Sequence, residues 1–100
     1  MKDKNDIEKI KLALTAFRKK RGEEYGIKSL GVFGSIARSV TGETSDLDIV
    51  VKLEKPDLFT LAGIKQEIEE SLGVNVDIVG YREDMNAFLK KRIDREAVYV

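Results

Sequence analysis

Residues 31–51, GVFGSIARSVTGETSDLDIVV, restrict this chain more than any other stretch. A short apolar run ends in Gly34-Ser35. A small helical segment with Arg38 follows, then a polar loop, and then an apolar strand carrying two acids, Asp46 and Asp48. Side chains on a strand alternate between faces, so Asp46 and Asp48 fall on one side while Leu47 and Ile49 fall on the other. Two carboxylates on one face repel unless a cation lies between them. Packing has no use for acids inside LDIVV, whereas a site that holds metal ions does. Hard oxygen donors of this kind suit Mg²⁺, which takes one or two carboxylates together with phosphate oxygens and water. Gly34 lets the backbone come close to a ligand. A helix beginning near Ile36 would offer a phosphate free amide N–H groups and a positive dipole end.

Each part is weak alone. An isolated Asp-x-Asp is commonly a pair of solvated strand-end acids, a lone Ser35 an N-cap, and a lone Arg38 a surface charge. Their order and spacing make the joint reading specific. No Gly-Lys-Ser/Thr follows the glycine, which disfavours a Walker-type phosphate loop.

Gly34, Ser35, Ala37, Arg38, Ser45, Asp46 and Asp48 together resemble the signature of the DNA polymerase β-like nucleotidyltransferases. The short chain resembles their minimal nucleotidyltransferase (MNT) branch, whose members act as antitoxins to HEPN-domain toxins. The resemblance runs from about Lys28 to the C-terminal strand. It implies a third carboxylate on a later strand, for which Asp77 in VNVDIV is the candidate; Asn75, Asp77 and Val79 share a face there, opposite Val74, Val76 and Ile78. It also implies roles. Asp46 and Asp48 would bridge two Mg²⁺ ions, and Asp77 would bind the ion nearest the acceptor and help remove its proton. Gly34 and Ser35 would hold the β/γ-phosphates of ATP, with Arg38 and Ser45 as further nucleotide contacts. The implied reaction moves AMP from ATP to a hydroxyl, a tyrosine of the HEPN partner; the alternative is an antitoxin that neutralises its partner by contact alone. Modification of nucleic acid or an aminoglycoside would need a further domain. One departure is Ser39, where many members carry Gly.

Composition agrees. A length of 100 residues is expected to give one domain, spanning 1–100. No run approaches the ~20 apolar residues of a membrane span, and MKDKNDIEKI lacks the apolar core of a signal peptide, so a cytoplasmic protein is expected. With no Cys and no His, disulfides, thiolate or imidazole metal sites and Ser-His-Asp triads are excluded, leaving carboxylates to handle protons. The 18 basic and 18 acidic residues cancel, which argues against direct nucleic-acid binding.

Periodicity gives the order α-β-α-β-α-β-α-β, an α/β (α+β) fold with a mixed sheet covered mainly on one face by helices. Ile7, Ile10, Leu14 and Phe17 form the stripe of a first helix. Arg18, Lys19, Lys20 and Arg21 are expected to end it before Gly22, their cations offsetting its dipole. Strands are expected over Ser29–Phe33, Ser45–Leu53, Val74–Val79 and Glu96–Val100. Pro56-Asp57 should open a helix with Leu61, Ile64, Ile68 and Leu72 inward and Gly73 as its stop. Met85, Phe88, Leu89 and Arg92 suggest a last helix, with Lys90, Lys91 and Arg92 near its end.

Overall fold

The computed structural model describes residues 4–34 and 47–100, with side chains from Ile7 onward. Its elements are α1 (Lys4–Tyr25), β1 (Ile27–Phe33), β2 (Leu47–Leu53), α2 (Leu58–Leu72), β3 (Val76–Gly80), α3 (Ala87–Glu96) and β4 (Val98–Tyr99). The strands form a sheet in the order β3-β2-β1-β4. β1 runs antiparallel to both β2 and β4, and β2 runs parallel to β3, with α2 as the crossover that a parallel pair requires.

Strand alternation divides the apolar residues between two faces. Leu30, Val32, Leu47, Ile49, Val51 and Val76 pack with Leu14 of α1 and Ile64 and Ile68 of α2, forming the larger core. On the opposite face, Phe33, Val50 and Ile93 form a smaller core under α3, flanked by Val79, Leu89 and Ala97. The sheet therefore carries its main cover on one side and a single helix on the other.

α2 follows its local signals. Asp57 caps the helix by accepting from the Phe59 N–H at 3.0 Å, and Gly73, at φ 68°, closes it with its N–H on the Glu69 carbonyl at 2.8 Å. The Glu69 side chain then accepts from the Val76 N–H at 2.9 Å and from Lys65 at 2.9 Å. This ties the end of α2 to the start of β3. It also places the first strand residue at Val76, after an exposed Val74, two residues later than the sequence suggests.

α1 departs from expectation. It runs through the buried Gly22 to Tyr25, and the chain turns at Gly26, whose φ is 69°. A mid-helix glycine costs about 1 kcal/mol relative to alanine, and contacts on either side of it offset that cost. Arg21 pairs with Glu67 of α2 at 2.9 Å, the Tyr25 hydroxyl donates to the same carboxylate, and the Tyr25 ring stacks near Phe17. The basic run is consequently mid-helix, with no basic residue in the last turn. Arg18 donates to the backbone carbonyls of Val100 at 2.5 Å and Lys28 at 3.0 Å, joining α1 to β1 and the chain's last residue.

α3 also runs further than expected, to Glu96, capped by the Asn86 side chain, which accepts from the Leu89 N–H at 3.0 Å. Lys90, Lys91 and Arg92 are mid-helix. Its inward residues are Leu89 and Ile93, one turn apart, while Phe88 is 89% exposed. β4 is shorter than the sequence pattern suggests, pairing Val98 with Val32 and Tyr99 with Gly31.

The α1–α2 link gives a first prediction. The Glu67 carboxyl is held below its ordinary value of 4.5, first by the Tyr25 hydroxyl and then by Arg21. A depressed carboxyl contributes stability above its ordinary pKa and loses it as the pH falls below. Tyr25→Phe should therefore cost about 1 kcal/mol at pH 7, and stability should decline less steeply in acid than in wild type. Urea unfolding at neutral and acid pH measures both.

Candidate active site

The site forms where the ends of three strands meet on the α3 face of the sheet. Register places Phe33 of β1 opposite Asp48 of β2, and Asp48 beside Asp77 of β3. Alternation does the rest. Leu47 and Ile49 enter the larger core and Val76 and Ile78 pack with it, so Asp48 and Asp77 emerge together on the other face. Asp48 is half-buried and Asp77 exposed. Neighbouring strands lie about 4.8 Å apart, so two negative charges at the same level of the sheet repel.

Directly after Phe33 the backbone turns at Gly34, with φ 80°. That conformation favours glycine, and the surroundings require it as well. A Cβ on Gly34 would collide with Asp48 Oδ2 and would lie 3.2 Å from Arg92 Nη2. The glycine expected to admit a ligand thus already admits a carboxylate and a guanidinium of the same chain.

The sequence shows Arg92 only as part of a helical pattern. In the structure it spans from α3 to the strand ends. Its guanidinium carbon sits 5.5 Å from the centroid of the Phe33 ring, and its Nε donates to Glu96 Oε1 at 3.3 Å. The Glu96 side chain is 7% exposed, against 43% for Arg92. The signal was the i,i+4 spacing of Arg92 and Glu96 on either side of the inward Ile93, visible only once that residue is known to anchor the helix. On its outer side Arg92 joins Asn86, Phe88, Leu89, Lys91 and Arg95 around an open cleft of about 410 Å³.

Of the residues singled out from the sequence, Gly34, Asp48 and Asp77 come together. Ser35, Arg38, Ser45 and Asp46 lie outside the described residues, as does the short helix expected from Ile36. Among the described residues no group of three metal-ligating side chains forms. The Asp48–Asp77 pair nevertheless suits Mg²⁺. It presents two hard oxygen donors on one face, the number Mg²⁺ takes from protein when phosphate supplies the rest. A second cleft of about 360 Å³ lies toward the other ends of β2 and β3, lined by Val51, Leu53, Leu61, Ile78 and Gly80 among others, away from both carboxylates. Among the described residues no helix is long and apolar enough to cross a membrane.

Comparison with known proteins agrees with this fold. A family model described as a nucleotidyltransferase domain matches residues 13–100. The chain is 37% identical over 95 residues to the protein adenylyltransferase MntA of Thermococcus cleftensis, covering 94% of this chain and 95% of that protein. A solved structure assigned as a minimal nucleotidyltransferase superposes with a TM-score of 0.74 at 32% identity, covering 94% and 92% of the two chains. The fold is also that of a chain in the complex of the tri-AMPylated Shewanella oneidensis HEPN toxin with MNT antitoxin, with a TM-score of 0.56 at 20% identity over 74% of this chain and 56% of that one.

Proposed function

The chain belongs to the nucleotidyltransferase domain family, and from that membership we propose that it is a protein adenylyltransferase, moving AMP from ATP to a tyrosine hydroxyl of a HEPN-domain toxin and so acting as its antitoxin. The observation that carries this reading is the register pair Asp48–Asp77 beside the Gly34 turn. The named activity of the 37%-identical relative supports the adenylyl transfer. The HEPN partner of the Shewanella oneidensis MNT antitoxin suggests the class of acceptor.

In the reaction the acceptor oxygen attacks the α-phosphorus of ATP. A new P–O bond forms to that oxygen, the bond to the β-phosphate oxygen breaks, and pyrophosphate leaves. The hydroxyl proton must go to a base, and a chain without histidine offers carboxylates for the task. Asp77 is the exposed member of the pair and serves the acceptor side. Asp48, half-buried between Gly34 and β3, serves the nucleotide side, and Asp46 extends the pair as its third member. Gly34 and Ser35 take the β/γ-phosphates, and Arg38 and Ser45 add contacts to the nucleotide. Asp46, Asp48 and Asp77 would hold Mg²⁺, which would supply neutralisation of the phosphate charge and a lower pKa for the acceptor hydroxyl.

The test is mass spectrometry of the co-purified partner after incubation with ATP and Mg²⁺. Wild type should add an adenylyl group to a tyrosine. Asp77→Asn should retain the complex and much of the ATP affinity but lose the modification. Neutralisation of the toxin by both proteins with no adenylyl group in either case would replace this reading with inhibition by contact.

A further inference from the structure

We propose that Arg92 is the triphosphate-binding arginine of this site, held in place by the Phe33 ring and the Glu96 carboxylate before the nucleotide arrives. The inference rests on the nucleotidyltransferase reading and adds to it a residue from the last helix.

Two restraints hold the guanidinium. Its carbon lies over the Phe33 ring, 5.5 Å from the centroid, and its Nε donates to Glu96 at 3.3 Å. An arginine fixed in this way loses less freedom when it binds, and its planar fork of donors matches phosphate oxygens better than an ammonium does. The Nη2 end of the guanidinium lies beside Gly34. A phosphate carried on the Gly34 turn therefore comes within reach of Nη2. The cation also answers an electrostatic problem: a triphosphate must approach a site that already contains Asp48 and Asp77. A positive charge beside the turn and Asp48 lowers that repulsion. Arg92 is exposed enough to be reached, and Lys91 and Arg95 border the same cleft, so the approach is cationic.

The experiment measures equilibrium affinity for ATP and for inorganic pyrophosphate, using the full chain as wild type, Arg92→Gln and Arg92→Lys. Loss of a charge-assisted contact to phosphate should weaken both ligands about tenfold or more in Arg92→Gln. Arg92→Lys keeps the charge and the stem over Phe33, and it covers the case in which the Gln variant fails to fold. A loss of about threefold or more in the Lys variant supports the need for the fork. Unchanged ATP affinity in a folded Gln variant, or in the Lys variant if only that one folds, overturns the inference. So does a fall for ATP with none for pyrophosphate, since the contact would then lie outside the two phosphates assigned to the Gly34 turn. Wild-type protein that binds neither ligand would instead overturn the nucleotidyltransferase reading itself.

Discussion

Asp48→Asn should lower adenylyl transfer by at least about a thousandfold, since in the proposed site it removes a metal-ligating carboxylate and with it several kcal/mol of transition-state stabilisation. Asp46→Asn is expected to act alike. The fold should survive. Asp48 stands between a like charge, Asp77, and an opposite one, Arg92. Removing its charge relieves one interaction and weakens the other. Unfolding free energy without metal should therefore change by less than about 1 kcal/mol. Single-turnover transfer to the partner, with urea unfolding of the same samples, reads both quantities. A variant that transfers at the wild-type rate would show that the carboxylate pair is not the reaction centre.

Gly34→Ala is the second large effect, and it should strike stability and activity together. The left-handed backbone costs a residue with a Cβ about 1–2 kcal/mol, and displacing the Asp48 carboxylate and the Arg92 guanidinium adds an overpacking cost of about 1–3 kcal/mol. The sum expected is about 2–5 kcal/mol of lost stability, with loss of ATP binding because both displaced groups belong to the proposed site. A double-mutant cycle separates the two parts. With Asp48→Ala in the background, the collision with the carboxylate is gone, and Gly34→Ala should cost less than in wild type. An equal cost in both backgrounds would mean that the Asp48 carboxylate plays no part in fixing the glycine.

These predictions use residues that differ in how visible they are from the sequence. α2 was legible because its start and stop are local: Asp57 binds a backbone N–H two residues on, and Gly73 needs only its own φ. The same locality misled at Gly22, where the helix continues because Glu67, forty-five positions along the chain, holds Arg21 and Tyr25. Alternation put Asp48 opposite Leu47 and Ile49, and Asp77 opposite Val76 and Ile78, with no reference to the rest of the fold. That the two acids sit at one level of the sheet depends on parallel register, which Glu69 and the Leu47–Asn75 backbone bond help set. Arg92 was the least legible. Its meaning lies in the Phe33 ring and the Gly34 turn, nearly sixty residues earlier, and helical spacing carries no trace of either.

The outermost place of β3 has a kinetic consequence. Asp77 stands exposed on the last strand of the sheet, so in the proposed reaction an acceptor need not enter an enclosed chamber to meet it. A hydroxyl on the surface of a folded protein can be presented by docking, and turnover then follows the lifetime of the encounter rather than the opening of a lid. With equal numbers of acidic and basic residues, the chain exerts little long-range pull on its partner. Association should fall in the unsteered range of about 10⁵–10⁷ M⁻¹s⁻¹ with weak dependence on salt, leaving dissociation to decide how many hydroxyls are modified in one visit.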